Sequence, residues 1–141
     1  MEPVHVITAL LLLGAGAVMS AGAAVCRWGR GRGARFWVQE RVAGARAGYA
    51  YGEIAVLVVL PLLAQTLIVG GLVAGVLGVL GVDALRDAGA SVLIPVAVIG
   101  ELILWGAALL ATGYRSVMPL WVYPSWLREE RRRERDLIRP R

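Results

Sequence analysis

Three long apolar runs separated by polar segments organise this 141-residue chain. They cover residues 4–26, about 54–82, and 91–112. An α-helix needs roughly 20 apolar residues to cross a bilayer, and each run reaches that length. The pattern therefore predicts an all-α membrane protein with three transmembrane helices. The second run is longer than a bilayer requires, so tilt or a kink at Pro61 is expected.

The polar segments are of two kinds. Residues 27–52 carry six arginines against Glu40 alone. Their Gly/Arg-rich beginning predicts irregular backbone, and residues 34–47 predict a short interfacial helix bearing Phe36, Trp37, Val38 and Val42. Residues 83–90 form a short connection with Arg86 against Asp83 and Asp87. Beyond the third run, Trp121, Tyr123 and Trp126 stand among Pro119 and Pro124, an aromatic cluster suited to the headgroup level. Arg27, Arg30, Trp28 and Trp37 suit the same interface from the first loop. Ser125 is a candidate N-cap for a polar C-terminal helix, in which Glu129 and Arg133 make an i,i+4 pair. That helix has too little apolar surface for a coiled coil and is expected to be a solvated tail or a docking handle. The expected organisation is a transmembrane domain at 1–115 and a cytoplasmic tail at 116–141.

Composition adds an orientation. The net charge of +5 rests on arginine alone, since lysine is absent, and 58% of residues are hydrophobic. Arginine-rich segments tend to stay cytoplasmic. With three spans, the 27–52 loop and the tail share one side, and the arginine-poor N-terminus and 83–90 loop share the other. The expectation is N-terminus outside and C-terminus cytoplasmic, in a bacterial inner membrane, given the Gly/Ala/Val/Arg bias of a GC-rich coding sequence. Residues 21–23 mimic a signal-peptidase site, but no basic n-region precedes the first run, so an uncleaved anchor is expected. Clustered arginines beside membrane spans point to anionic lipid headgroups rather than nucleic acid.

The runs contain little that could do chemistry. His5 and Cys26 lie at opposite ends of the first run, which predicts neither a metal site nor any cofactor. The glycines at 29–33 lack the GK[ST] ending of a phosphate loop. No nucleophile has a nearby base, so no enzymatic activity is expected. Glu53 opens the second run, where Arg46 or Arg115 is the expected neutralising partner.

Glu101 is the exception. It is the one ionisable residue in 91–112, at a depth where a charged carboxylate costs roughly 3 kcal/mol on insertion scales. Gln65 lies at a matching depth in the second run, so an antiparallel pair of helices would place amide beside carboxyl. Thr66 is adjacent, and Thr8 is within possible reach. Three readings follow: a proton- or cation-handling acid, a neutral acid hydrogen-bonded to Gln65 as a link between helices, or a subunit contact.

Small residues recur at helical spacing, which lets helix backbones approach closely. Ala64, Gly71, Gly75 and Gly78 form a stripe on the second run. The first offers Gly14, Ala17, Ala21 and Ala24 on one face, with Gly16, Ser20 and Ala23 on the next. Ala97, Glu101, Ala108 and Thr112 align on the third. Such faces favour self-association or assembly with other membrane subunits.

Two resemblances accompany this reading. Gln65 to Gly71 and Glu101 to Gly106 look like the ion-binding helix of rotary ATPase proteolipid subunits, implying ion transport through Glu101. Here Gln65 stands where a carboxylate is expected, and the loop is long and basic. The whole-chain plan is similar to three-span phage holins, implying pore formation. The principal expectation is a non-catalytic accessory subunit or interaction module. The alternative is an ion- or proton-conducting or pore-forming protein that uses Glu101 and Gln65.

Overall fold

A computed structural model describes residues 3–38, 51–81, 83–84, 92–113 and 117–138. Three helices are long and apolar enough to cross a membrane: α1 (Pro3–Trp28), α2 (Tyr51–Leu80) and α3 (Leu93–Gly113). A fourth, α4 (Ser125–Ile138), is polar and starts at the serine expected to open it. The first loop holds a 3-10 turn at Arg32–Arg35 in place of the start of an interfacial helix, and residues 39–47 of that expected helix lie outside the described residues.

Glycines close two of the long helices. The Gly29 amide reaches Val25 O at 3.2 Å and the Gly81 amide reaches Leu77 O at 2.9 Å, with φ of 62° and 77° respectively. Only glycine adopts this left-handed geometry without a steric penalty, and it satisfies carbonyls that the helix ends would leave bare.

Pro61 produces something gentler than a sharp kink. It has no amide hydrogen, and its ring would crowd the carbonyl of Leu57, four residues earlier. α2 answers with a π-helical stretch at Ala55–Val59, which widens the turn immediately before the proline.

The chain forms two compact units. The first comprises Met1–Ala21 with Leu62–Gly106, and the second comprises Gly22–Pro61 with Ala107–Arg141. In the first unit α1 and α2 run antiparallel and meet through small residues. A Cβ built on Gly16 would lie 2.9 Å from Ala64 O and 2.7 Å from Ile68 Cγ1. One on Gly71 would lie 2.8 Å from Leu13 Cγ and 3.1 Å from Ala9 O. One on Gly78 would lie 3.0 Å from His5 Cβ. In lipid no hydrophobic drive holds apolar helices together, so this close approach and its dispersion contacts must do so.

The packing face of α1 is the second of the two read from the sequence. Gly14, Ala17 and Ala21 are exposed, whereas Ala9 and Gly16 are buried. Two small-residue faces lie side by side on α1, and periodicity alone ranks them equally. The complementary partner on α2 decides, because the Ala64–Gly71–Gly78 row meets Ala9, Leu13 and Gly16.

The second unit has the more enclosed interior. Trp37, Leu57, Val58, Val117, Met118, Val122, Tyr123 and Leu127 are buried there. α4 is thus no free tail: Leu127 and Arg131, one turn apart on the same face, are both fully buried. Opposite that face, Arg133 Nε stands 3.6 Å from Glu129 Oε1, the i,i+4 pair foreseen, on exposed side chains.

Candidate functional site

In the first unit the carboxyl of Glu101 on α3 meets a row of polar groups from α2. Gln65 Nε2 donates to Glu101 Oε1 at 2.7 Å, and Thr66 Oγ1 donates to Oε2 at 2.9 Å. Trp105 Nε1 donates to Thr66 Oγ1 at 3.0 Å. An indole N–H can only donate, so the threonine oxygen accepts there and directs its own proton to Glu101. Both carboxyl oxygens therefore receive a hydrogen bond from a neutral donor. Thr8 takes no part, since its hydroxyl bonds back to Val4 O at 2.8 Å within α1.

Helix geometry explains the cluster. Gln65 and Thr66 are consecutive, so their side chains reach Glu101 from two directions around α2. Trp105 is four residues after Glu101 and shares its face of α3. Sequence reasoning had identified Glu101, Gln65 and Thr66 but had not seen Trp105. The i,i+4 spacing of acid and indole was the available signal.

The cluster stands at the side of a groove between α2 and α3 with a volume of about 490 Å³. Val69, Val73, Ile94, Val98 and Leu102 supply most of its wall, and Ala97, expected as a packing residue, lines it too. Glu101 remains partly exposed. Among the described residues no basic side chain lines this groove, and the ion pairs formed do not include Glu101.

Thr66→Val tests how tightly the cluster is knit. It removes the donor to Glu101 and strands the Trp105 N–H. Interhelical hydrogen bonds in membranes contribute about 0.6 kcal/mol on average and up to about 1.7 kcal/mol. A loss of about 1 kcal/mol in denaturant unfolding in micelles is expected, with Thr66→Ser near wild type. A valine variant as stable as the serine variant would dissolve the proposed link.

The second unit carries a separate cluster in which Glu53, Tyr123 and Arg131 are fully buried. Arg131 Nη2 on α4 pairs with Glu53 Oε1 at the start of α2, and Arg131 Nη1 pairs with Glu134 Oε1. Tyr123 Oη donates to Glu53 Oε2 at 2.9 Å and accepts from the Met118 amide at 3.3 Å. Burial alone would lower the pKa of Arg131. The attraction of Glu53, with the hydrogen bond and charge of Glu134, outweighs it and raises the value above that of an ordinary arginine. The partners anticipated for Glu53, Arg46 and Arg115, lie outside the described residues.

Aromatic residues expected at the lipid interface divide into two groups. Trp28 and Trp121 are exposed, as is Arg30. Trp37 and Tyr123 are instead buried among protein neighbours. Trp37 Nε1 donates to Ala34 O at 2.7 Å, and its ring meets the half-buried Trp126 edge-on at 6.0 Å between centroids. Trp126 also holds the Arg35 guanidinium over its ring at 4.7 Å and donates from Nε1 to Arg27 O at 2.9 Å. Arg27 in turn donates from Nη2 to Val122 O at 3.2 Å. The indole packs directly on Gly29, where any side chain would collide with the ring. These residues are bound into an interior because the turns at Pro119 and Pro124 fold the segment before α4 back on itself.

The remaining packing positions are placed as follows. Gly71 and Gly78 are buried against α1, and a Cβ on Gly75 would meet Ala9 Cβ at an ordinary 3.7 Å. Ala108 is partly buried, and its carbonyl accepts from Thr112 Oγ1 at 2.7 Å.

No protein-family model matches this chain, and neither a curated protein nor a solved structure is significantly similar to it.

Proposed function

We propose that this chain is a small, non-catalytic accessory subunit or interaction module of a membrane complex. Its N-terminus would be outside and its arginine-rich segments cytoplasmic, in a bacterial inner membrane, against anionic headgroups. The carrying observation is the state of α3. Along the most apolar 18 residues of α3 no residue is fully buried within the chain, and among the described residues side chains built on Gly100 or Gly106 would meet nothing within 4 Å. A glycine inside a helix costs roughly 1 kcal/mol relative to alanine. At Gly16 and Gly71 that cost is offset by close packing within the chain, whereas at Gly100 and Gly106 no contact with the described residues offsets it. Close approach by a helix of another chain, or of a second copy, accounts for both.

The groove beside Glu101 is apolar along most of its wall, and among the described residues its polar groups are gathered at the carboxyl, in the Glu101–Thr66–Trp105 chain. That supports a packing or binding role over conduction of ions or protons. The combined variant Gly100→Leu with Gly106→Leu tests the reading by native mass spectrometry from lipid nanodiscs. Wild type is expected in an assembly larger than the monomer, and the variant as a folded monomer that melts cooperatively, without the stabilisation that assembly adds. A wild-type chain that is always monomeric and alone would overturn it.

A further inference from the structure

We propose that the groove between α2 and α3 is a binding site for a lipophilic organic cation, with Glu101 as its counter-ion and Trp105 on its wall. The site goes beyond the packing role assigned to α3 and uses another part of that helix, since neither Gly100 nor Gly106 lines it.

Volume gives the first constraint. About 490 Å³ lies within the range of roughly 300–1,000 Å³ typical of pockets for small organic molecules. Wall chemistry gives the second. Aliphatic side chains and the Gly70 backbone form most of the surface, and the polar atoms come from Glu101, Thr66 and Trp105. A ligand that fills this space must be largely apolar.

Charge supplies the third constraint. Glu101 accepts from Gln65 and Thr66, a donor set that suits a carboxylate, and carboxylate oxygens offer about four lone-pair sites in all. Acceptor capacity therefore remains towards the partly exposed side. Neutral donors orient the charge without cancelling it, and among the described residues no basic side chain lines the groove. In a low-dielectric setting a carboxyl keeps its charge only when it is paired, so an ionised Glu101 calls for a counter-charge. The Trp105 indole offers a second attraction of the same sign, because an aromatic face draws cations.

A bare metal ion does not fit these demands. Calcium takes six to eight oxygen ligands and magnesium about six, whereas the groove supplies one carboxyl and one hydroxyl. A neutral lipid tail would fill the apolar space but leave the carboxylate uncompensated. A quaternary or protonated nitrogen, or a phosphonium, carrying aryl or alkyl groups meets both requirements.

The test is equilibrium binding of tetraphenylphosphonium to the purified full-length chain in micelles, with neutral triphenylphosphine oxide as the uncharged comparison. Wild type should bind the cation saturably, and Glu101→Gln should weaken that binding by about tenfold or more, as expected when one member of a desolvated charge pair is neutralised. The neutral compound should not distinguish the two proteins. Ala97→Phe fills the groove without touching the charge, and it too should lose the cation while melting like wild type, which decides the matter if Glu101→Gln fails to fold. Binding should survive the Gly100/Gly106 double substitution, so this site and the proposed assembly face fail separately. Equal cation binding by wild type and Glu101→Gln would overturn the proposal. So would absence of saturable binding in wild type, including the case in which Glu101→Gln instead releases a co-extracted membrane protein, the signature of a basic residue on a partner helix.

Discussion

Arg131→Met is expected to unfold the second unit at far lower temperature than wild type. The substitution keeps a long side chain against Leu127 but removes the cation between Glu53 and Glu134, which face it from α2 and α4. Breaking a buried ion pair by deleting one partner costs about 3–5 kcal/mol, because the remaining charge stays desolvated. Glu53→Gln should be milder, since Arg131 keeps Glu134 and an amide can still accept from Tyr123. Limited proteolysis of α4 and a melting curve in detergent would read both variants. If Arg131→Met melts like wild type, the cluster does not hold α4.

The same cluster sets an expectation for pH. The folded-state pKa of Arg131 lies above its ordinary value, so its contribution is fully present below that value and is lost only as pH rises through the raised one. Across neutral and mildly alkaline pH, melting should not change on account of this residue.

Gly16→Leu is expected to separate α1 from α2. A Cβ at this position would already press to 2.9 Å on the Ala64 carbonyl oxygen, which belongs to helix backbone and cannot turn aside. Overpacking a close contact typically costs 1–3 kcal/mol, and about 3 kcal/mol is expected here because a whole leucine must be housed. Gly14→Leu is the matched control, since a side chain there meets nothing within 4 Å and should leave melting unchanged. Unfolding in a graded denaturing detergent would compare the two. Equal stability of the variants would mean that α1 and α2 do not meet through Gly16.

Much of the fold was legible along the chain because membrane-length helices are announced by unbroken apolar runs. α1 and α3 lie within about two residues of the expected 4–26 and 91–112 at each end. α2 starts three residues before the expected 54, because Tyr51, Gly52 and Glu53 join the helix once Glu53 is paired in the second unit. Pro61 signalled a disturbance, but whether it would be a kink or a widened turn depended on how the helix absorbed the missing hydrogen bond.

The site beside Glu101 was partly legible. Matching depths in two antiparallel helices bring Gln65 and Glu101 together from arithmetic alone, and Gln65 donates to Glu101 in the structure. Trp105 was not foreseen, although its spacing from Glu101 allowed it. The C-terminal segment shows the opposite case. Composition described α4 as polar throughout, and the average concealed the buried stripe of Leu127 and Arg131.

The sequence by itself determined that the chain is helical, that three helices are long and apolar enough to span a membrane, and that one carboxyl sits at mid-span of the third. Hydrophobic length and helical rise are local properties, so they need no neighbours to be read. Only the tertiary structure decided which face of α1 packs, that Arg131 and Tyr123 enclose Glu53, and that the Glu101 groove is apolar and has no basic side chain among the described residues lining it. Those outcomes depend on which surfaces complement one another across distant parts of the chain, and no periodicity in one helix contains that information.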